Sequence, residues 1–168
     1  MNWHDLFVYE PETGKLFWRV TRSNRAVAGT EAGTSDKDGY VTINTHGKVR
    51  KAHRIIWDML HPEDTVKSDE QIDHINHVRN DNRPGNLRKV TSRGNRMNAS
   101  LGERNTSSFV GVGWRSDRNC WRASITVNRK QIALGCFDSF EEAVSARKAA
   151  QIKYGFHENH GAKNEAKK

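Results

Sequence analysis

The last third of the chain consists of short β-rich runs separated by tight-turn residues, a pattern that restricts the fold more than any other feature. Three such runs, FVGVGWR, CWRASITVN and KQIALGCF, are separated by turns at 116–119 and 128–129. A capping box then begins at Ser139 with Glu142, and helix formers continue to Gly155. The sequence therefore predicts a three-stranded antiparallel sheet packed on one helix.

The first hundred residues predict further hairpins. FVYEPETGKLFWRV places two apolar runs around a Pro-Glu-Thr-Gly turn, and a second alternating segment turns at His46-Gly47 before helical spacing begins at Ile55. The polar stretch SLGERNTSS has only Leu101 as a large apolar residue and is typical of a linker. We expect an α+β protein. Its predicted parts are an N-terminal domain at 1–100, a linker at 101–107, a C-terminal domain at 108–157 and a disordered tail at 158–168.

Composition narrows the class of partner. Lys and Arg number 28 against 20 Asp and Glu, which gives a net charge of +8 and favours a polyanion such as nucleic acid. No secretory signal pattern and no apolar run long enough for a membrane span are present, so we expect a soluble intracellular protein. Cys120 and Cys136 lie outside any C-x-x-C pair, and we expect both to be buried apolar residues.

The stretch DHINHVRNDNRPGNLRKVTSRGN, residues 73–95, has the components of a hydrolytic site. Asp73 offers an anionic oxygen, His74 a base that titrates near neutral pH, and Asn95 an amide oxygen that can share a metal with Asp73. Adjacent side chains of a strand point to opposite sides, so Asp73 and His74 can face one site only where the backbone bends. A solvated loop is the alternative interpretation.

The spacing of these residues resembles that of the HNH nucleases, specifically the phage homing-endonuclease branch, over roughly residues 40–98. Asn86 follows His74 by twelve residues and Asn95 follows Asn86 by nine, and Asn82 and the Asn86–Arg88 run also fit that branch. The resemblance implies a ββα-metal domain, in which a hairpin and a helix surround one metal ion.

The same resemblance implies a role for each residue of the motif. His74 is expected to act as the general base, Asp73 and Asn95 to hold the metal, and Asn86 to tie the hairpin loop and orient the histidine. The last position, often histidine in the wider family, is Asn95 here. An all-oxygen pair of ligands favours Mg²⁺ or Mn²⁺ over Zn²⁺.

The segment between Asn82 and Gly102 contains five basic residues and no acidic one, as expected of a segment that meets phosphates. A solvated helix face would show the same bias. His53 is interpreted as a packing residue or a substrate contact. The predicted DNA contacts of this segment are Arg83, Arg88, Arg93 and Arg96.

The C-terminal part, at about residues 108–156, resembles the Apetala-type domain of plant ethylene-response factors through Trp121 and the run LGCFDSFEEA. That resemblance implies a sheet that lies in the major groove of DNA and a helix that braces its other side. Strand alternation directs Trp121 and its alternate neighbours to the helix. Trp114 is either a base-stacking or a core residue. The predicted DNA contacts are Trp114, Arg115, Arg118, Arg122, Ser124, Thr126, Arg129, Lys130 and Gln131.

Taken together, the two resemblances imply a phage-encoded, site-directed, metal-dependent DNA endonuclease. We expect a monomer that acts on double-stranded DNA in the cytoplasm of an infected bacterial host cell and nicks one strand per active site. Two alternatives stay open, namely a non-cleaving DNA-binding regulator with a relic HNH domain, and a structure-specific nuclease of phage DNA processing.

Overall fold

The computed structural model of the protein describes residues 2–102 and 105–162, without the side chain of Arg93. These residues form two units, with the boundary along the chain between Asn95 and Arg96, and each unit has its own hydrophobic core. Among the described residues, four small sheets and three α-helices give a mixed α/β architecture that is compatible with the predicted α+β class. No helix in this part of the chain is long and apolar enough to cross a membrane.

The first unit begins with the hairpin that the Pro-Glu-Thr-Gly turn predicts. Strand β1 (Phe7–Glu10) pairs antiparallel with β2 (Lys15–Trp18). Gly14 closes the turn at a φ of 73°, where a residue with a Cβ atom is strained. The rings of Phe7 and Trp18 pack 4.9 Å apart, and this contact joins the hairpin to the core.

A second sheet leads directly into the first helix. Its strands, in spatial order, are β3 (Thr34–Ser35), β4 (Val41–Thr45) and β5 (Lys48–Lys51). The turn between β4 and β5 falls at His46 and Gly47, as predicted, and both residues have positive φ. Helix α1 (Ala52–Leu60) follows β5 without a loop. It ends before Pro62, in agreement with the sequence pattern, because proline excludes the helical conformation of its predecessor.

The apolar side of α1 forms the centre of the first core. Helical spacing brings Ile55, Ile56 and Met59 to one face, and all three are buried. Residues from the other elements of the unit complete this core. They are Trp3, Phe7, Leu16, Trp18, Ile43, Ile72 and Leu87. The core therefore holds all three sheets of the first unit against one helix.

The third sheet is a two-stranded hairpin followed by a short helix. Strand β6 (Glu70–His74) pairs antiparallel with β7 (Leu87–Thr91), and helix α2 (Ser92–Arg96) begins immediately after β7. The register sets Asp73 opposite Arg88 and His74 opposite Leu87. This strand, strand, helix order agrees with the expectation for the segment.

The second unit consists of the predicted three-stranded sheet and one helix. Its strands β8 (Val112–Arg115), β9 (Cys120–Val127) and β10 (Lys130–Phe137) form an antiparallel sheet with β9 in the centre. Helix α3 (Phe140–Lys153) packs against all three strands. The predicted capping box is present, because the Ser139 hydroxyl accepts from the amide of Glu142 at 3.1 Å.

Strand alternation gives this sheet two distinct sides. Ala123 and Ile125 are fully buried on the side that α3 covers, and the Trp121 ring contacts Phe140 of α3 at 4.9 Å. We call the opposite side, which carries Arg122, Ser124, Thr126 and Gln131, the outer side. Only the helix side of this sheet contributes to the core of the second unit.

Main-chain hydrogen bonds join the two ends of the second unit. The amide of His157 donates to the Met97 carbonyl, that of Gly161 to Ala99, and that of Leu101 to Ala162. The second unit consequently begins at Arg96, earlier than the predicted linker at 101–107, and it includes residues that we expected in the tail. Residues 103–104 of the linker and 163–168 of the tail lie outside the described residues.

The two cysteines differ in exposure. Cys120 is buried as expected, whereas Cys136 is exposed, so the expectation for Cys136 was wrong. Cys136 pairs with Arg122 in the β9–β10 register and shares the outer side of the sheet. Cys120 lies on the same side of β9, two residues before Arg122, so the side of the sheet alone does not set the exposure of Cys136.

Candidate active site

The loop between β6 and β7 is held closed by the side chain of Asn86. Its Oδ1 accepts from the backbone amide of Asn76 at 2.9 Å, and its Nδ2 donates to the Asp81 carbonyl at 2.7 Å. Asn86 therefore bridges the two halves of the loop from a buried position. Arg83 binds the Asp81 carboxylate through two nitrogens and lowers the pKa of that carboxyl to about 2. This ion pair rigidifies the same loop.

The His74 imidazole is hydrogen-bonded to the side chain of Asn82. The Nε2 of His74 lies 2.9 Å from the Oδ1 of Asn82, and both side chains are buried. An amide oxygen only accepts hydrogen bonds, so this arrangement puts the imidazole proton on Nε2 and the lone pair on Nδ1. Burial lowers the pKa of His74, although the bond to Asn82 and the charge of Asp73 act in the opposite direction. The ring is therefore neutral near pH 7 and able to accept a proton.

The first hairpin fixes Asn82 from a distant part of the sequence. The Tyr9 hydroxyl donates to the Asn82 carbonyl at 2.8 Å, and burial raises the pKa of Tyr9 to about 12. A Cβ atom at Gly14 would lie 2.7 Å from the Arg83 amide nitrogen, so only glycine allows this close approach. No local pattern predicts this role for Asn82, and the one signal for it in the sequence is its place in the loop that resembles the homing endonucleases.

Two aromatic side chains, Tyr40 and His53, pack against the His74 imidazole. His53 approaches edge-on at 5.0 Å between ring centroids, and Tyr40 lies 5.8 Å from His74. His53 is buried, and burial lowers its pKa to about 3. Its Nδ1 has no hydrogen-bond partner within the described ranges. Of the two interpretations offered for His53, the contacts of its ring correspond to packing.

Asp73 makes a direct ion pair across the hairpin. The Nε and Nη2 of Arg88 lie 3.0 and 2.9 Å from the Oδ2 of Asp73, and the carboxylate is almost completely buried. The two residues face each other in the register, so the strand pairing itself creates this contact. Arg88 is therefore a partner of a motif residue and not a cation that projects into solvent.

Asn95 lies on the same side of β6 as Asp73. Its Nδ2 donates to the Oε1 of Gln71 at 2.6 Å, and Gln71 is separated from Asp73 by one residue of the strand. Side chains two positions apart project from the same side of a strand, so α2 brings Asn95 to the Asp73 side. His74 contacts Asn82 and the aromatic rings, and the charge of Asp73 acts on both His74 and Tyr40, so the carboxylate lies near the candidate base as well as near Asn95.

The oxygen atoms of this pair match the preference of a hard divalent cation. With its Nδ2 bound to Gln71, Asn95 keeps its Oδ1 as a ligand atom, and Asp73 provides the anionic oxygen. Arg88 shares that carboxylate. Within residues 2–102 and 105–162, no group of three His, Cys, Asp or Glu side chains converges to hold a metal. A cation here would therefore need ligands from water or from a bound phosphate.

The remaining predicted contacts of the first segment differ in their availability. Arg83 and Arg88 are both in ion pairs with carboxylates that precede the basic segment in the sequence. Arg96 is exposed, and the side chain of Arg93 lies outside the described residues. Although no acidic residue lies between 83 and 101, Arg83 and Arg88 are therefore paired with carboxylates from earlier in the chain.

The outer side of the second sheet carries most of the other predicted contacts. Arg122 donates to the Gln131 side chain at 3.4 Å, and Gln131 donates to the Ser124 hydroxyl at 3.3 Å. Arg115 forms a two-bond ion pair with Asp117. Four of the predicted contacts are simply exposed. They are Arg118, Thr126, Arg129 and Lys130.

Trp114 lies on the helix side of the sheet and not with the other predicted contacts. It pairs with Trp121 in the β8–β9 register, and the two rings meet edge to face at 5.4 Å. Because Trp121 contacts α3, the same alternation that exposes Arg122 turns Trp114 away from the outer side. The side chain is still 47% exposed, because β8 is an edge strand.

Residues 50–97 match the family model of HNH endonucleases, so an HNH endonuclease domain lies in this part of the chain. The match covers α1, the β6–β7 hairpin and α2, and it includes all four motif residues from Asp73 to Asn95. Comparison with curated proteins and with solved structures gave no match. The family suggests that the protein is a nuclease.

Proposed function

We propose, from the HNH endonuclease domain at residues 50–97, that the protein is a metal-dependent DNA endonuclease that hydrolyses phosphodiester bonds in double-stranded DNA. One observation carries the proposal most directly. His74 is a neutral, buried imidazole with a fixed tautomer, next in sequence to Asp73. A hydrolase needs such a group to activate water at neutral pH.

The chemistry follows from the positions of three side chains. The lone pair on His74 Nδ1 accepts a proton from water as that water attacks phosphorus, and Asn82 stabilises the resulting imidazolium through Nε2. Asp73 and Asn95 would hold a divalent cation, Mg²⁺ or Mn²⁺, through oxygen ligands. When bound, such a cation neutralises charge on the phosphate and on the leaving 3′ oxygen.

The second unit supplies DNA affinity in this proposal. Its outer side carries Arg122, Ser124 and Gln131 as a hydrogen-bonded row, flanked by exposed cations. Side chains of these types read base edges in the major groove and contact phosphates. The Apetala-type identity, the homing role, the phage origin and action as a monomer in an infected host cell extend the proposal and rest on the resemblances alone.

The test compares cleavage and binding of the same variant. We expect His74→Ala to lower the cleavage rate of supercoiled plasmid in Mg²⁺ by about 10²- to 10⁴-fold, the usual loss for a general base. DNA affinity measured in EDTA should change little. His46→Asn, at an exposed turn position of positive φ that asparagine tolerates, is the matched control. Wild-type turnover in His74→Ala would exclude the proposed base.

A single active site per chain also predicts the form of the product. One site attacks one strand at a time, so nicked circles should accumulate before linear plasmid. Direct conversion of supercoiled to linear plasmid at substoichiometric protein would contradict the proposed nicking.

One observation favours a second candidate, a DNA-binding regulator that does not cleave. Arg88 pairs with Asp73, the carboxylate that a cation would need, and among the described residues no group of three His, Cys, Asp or Glu side chains forms a metal site. This candidate predicts binding to DNA without cleavage in Mg²⁺ or Mn²⁺. It also predicts that His74→Ala leaves every property of the protein other than stability unchanged.

A further inference from the structure

Two cations share the ring of Tyr40 in the first unit. The Nζ of Lys51 lies 3.4 Å from the ring centroid, and the guanidinium carbon of Arg79 lies 5.0 Å from it. Like charges repel, so two cations on one small aromatic group are a costly arrangement unless an anion completes it.

Neither cation is neutralised by a salt bridge within residues 2–102 and 105–162. Arg79 donates through Nη1 to the main-chain carbonyl of Asp38 at 2.8 Å, which fixes its position without cancelling its charge. The nearby Asp36 carboxylate accepts from the amides of Asp38 and Tyr40 and so closes its own turn. The charges of Asp36 and Asp38 act on Lys51, but no described carboxylate forms a direct ion pair with Lys51 or Arg79, so both cations can still contact an external anion.

The pair lies beside the candidate base. The Tyr40 ring is 5.8 Å from His74, and the charge of Asp73 contributes to the raised pKa of Tyr40 after the larger effect of burial. Lys51 is also the residue before α1, whose first turn contains no acidic residue. The positive end of the α1 dipole adds to the charge of the two side chains.

We infer that Lys51 and Arg79 bind a backbone phosphate of DNA next to His74, and that Tyr40 holds the two cations in position. This inference rests on the proposed function, because the phosphate would belong to the DNA that the same site is proposed to cleave. A phosphate fits the observations better than a carboxylate ligand does, since its oxygens can be shared between two cations that approach from separate elements, β5 and the β6–β7 loop.

The test measures how DNA binding by the full chain depends on salt, in EDTA so that no cleavage occurs. Each phosphate contact contributes about 0.9 to the slope of log affinity against log salt. We expect Lys51→Gln and Arg79→Gln each to reduce that slope by nearly this amount, with a several-fold loss of affinity. Lys51→Arg should restore the slope. Lys15→Gln, a surface lysine already paired with Glu31 at 2.7 Å, should leave it unchanged.

Tyr40 is tested as a positioning residue. Tyr40→Phe keeps the ring and should preserve the slope, whereas Tyr40→Leu removes it and should weaken binding. Wild-type slopes for folded Lys51→Gln and Arg79→Gln would overturn the inference even if the protein cuts DNA. A reduced slope in a protein that never cuts would support this phosphate site while rejecting the proposed nuclease activity.

Discussion

The Oδ1 of Asn82 accepts a hydrogen bond from the Nε2 of His74 at 2.9 Å, inside the loop that joins the two strands of the HNH domain. This one contact sets both the tautomer and the orientation of the imidazole. The resemblance implied that Asn86 both ties the loop and orients the histidine; its side chain closes the backbone of the loop, and the hydrogen bond to the imidazole comes from Asn82. Asn82 is thus the positioning residue for the candidate base.

Replacement of Asn82 should alter the pH profile of cleavage as well as its rate. Asn82→Ala leaves a buried N–H without a partner and should lower turnover by about tenfold or more. Asn82→Asp adds a negative charge that raises the pKa of His74, so the acidic limb of the rate profile should move to higher pH. Asn80→Ala, in an exposed part of the same loop, is the control. A profile that stays in place in Asn82→Asp would separate His74 from proton transfer.

The buried His53 should make the stability of the protein depend on pH. The folded protein keeps His53 neutral down to a pKa of about 3, whereas the unfolded chain binds a proton near the ordinary value of 6.5. The unfolded state therefore takes up more protons, and the free energy of unfolding should fall as pH drops from about 6.5 toward 3. The lowered pKa of His74 acts in the same direction.

Urea denaturation between pH 7 and pH 5.5 measures this effect above the range in which most carboxylates titrate. We expect His53→Phe, which keeps an aromatic ring, to reduce the pH dependence by at most about 1.4 kcal/mol per pH unit, the value for one proton. His61→Phe, at an exposed position stacked on Trp57, should leave it unchanged. Equal slopes for wild type and His53→Phe would show that His53 is not the group responsible.

Much of the fold could be predicted because the relevant signals are local. The turn at Gly14, the turn at His46 and the capping box at Ser139 each depend on residues a few positions apart, and all three are present. The boundary at Arg96 could not be predicted in this way. It depends on main-chain hydrogen bonds between 97–101 and 157–162, and the side chains of both segments are compatible with a linker and a tail.

In the candidate site, too, local patterns were predictive and contacts between distant segments were not. The spacing of Asp73, His74 and Asn95 identified residues that lie on neighbouring elements of one domain. The hydrogen bond from Tyr9 to Asn82 joins residues 73 positions apart in the sequence, so no local pattern predicts it. The ion pair between Asp73 and Arg88 likewise depends on the β6–β7 register, which could not be predicted from the sequence.

Metal dependence should be sensitive to the amide oxygen of Asn95. Asn95→Asp adds a second carboxylate next to Asp73 and should lower the Mg²⁺ concentration needed for half-maximal cleavage, whereas Asn95→Leu should raise it. Gln71→Leu removes the bond that orients Asn95 and should have a smaller effect in the same direction as Asn95→Leu. EDTA should stop cleavage in all variants without preventing DNA binding. Cleavage that persists in EDTA would exclude a metal at this position.

The second unit should fold and bind DNA by itself. Residues 96–168 contain the complete second core and the hydrogen bonds between its two ends, so the fragment should be chosen to begin at Arg96 and not inside the predicted linker. We expect cooperative unfolding and binding to duplex DNA without cleavage, because His74 and Asp73 are absent. A fragment that folds but does not bind duplex DNA would assign the affinity of the protein to the first unit.

Within that unit, Arg122 is the most informative residue to change. It lies on the central strand of the sheet and on the outer side, where its guanidinium contacts Gln131 at 3.4 Å without a carboxylate partner among the described residues. If Arg122 reads a guanine edge, Arg122→Ala should cost about 1–3 kcal/mol of binding free energy and relax specificity at one base pair. If it contacts a phosphate, all sequences should weaken alike and the salt slope should fall by about 0.9.

Titrations of the full chain against specific and random duplexes, at several salt concentrations, distinguish these two outcomes. Lys148→Ala is the matched control, because this exposed cation lies on α3, which packs against the other side of the same sheet. Its loss should leave the preference between the duplexes intact. Unchanged affinity, preference and salt slope in Arg122→Ala would mean that the outer side does not contact DNA. The hydrogen-bonded row from Arg122 to Ser124 would then serve only to stabilise the sheet.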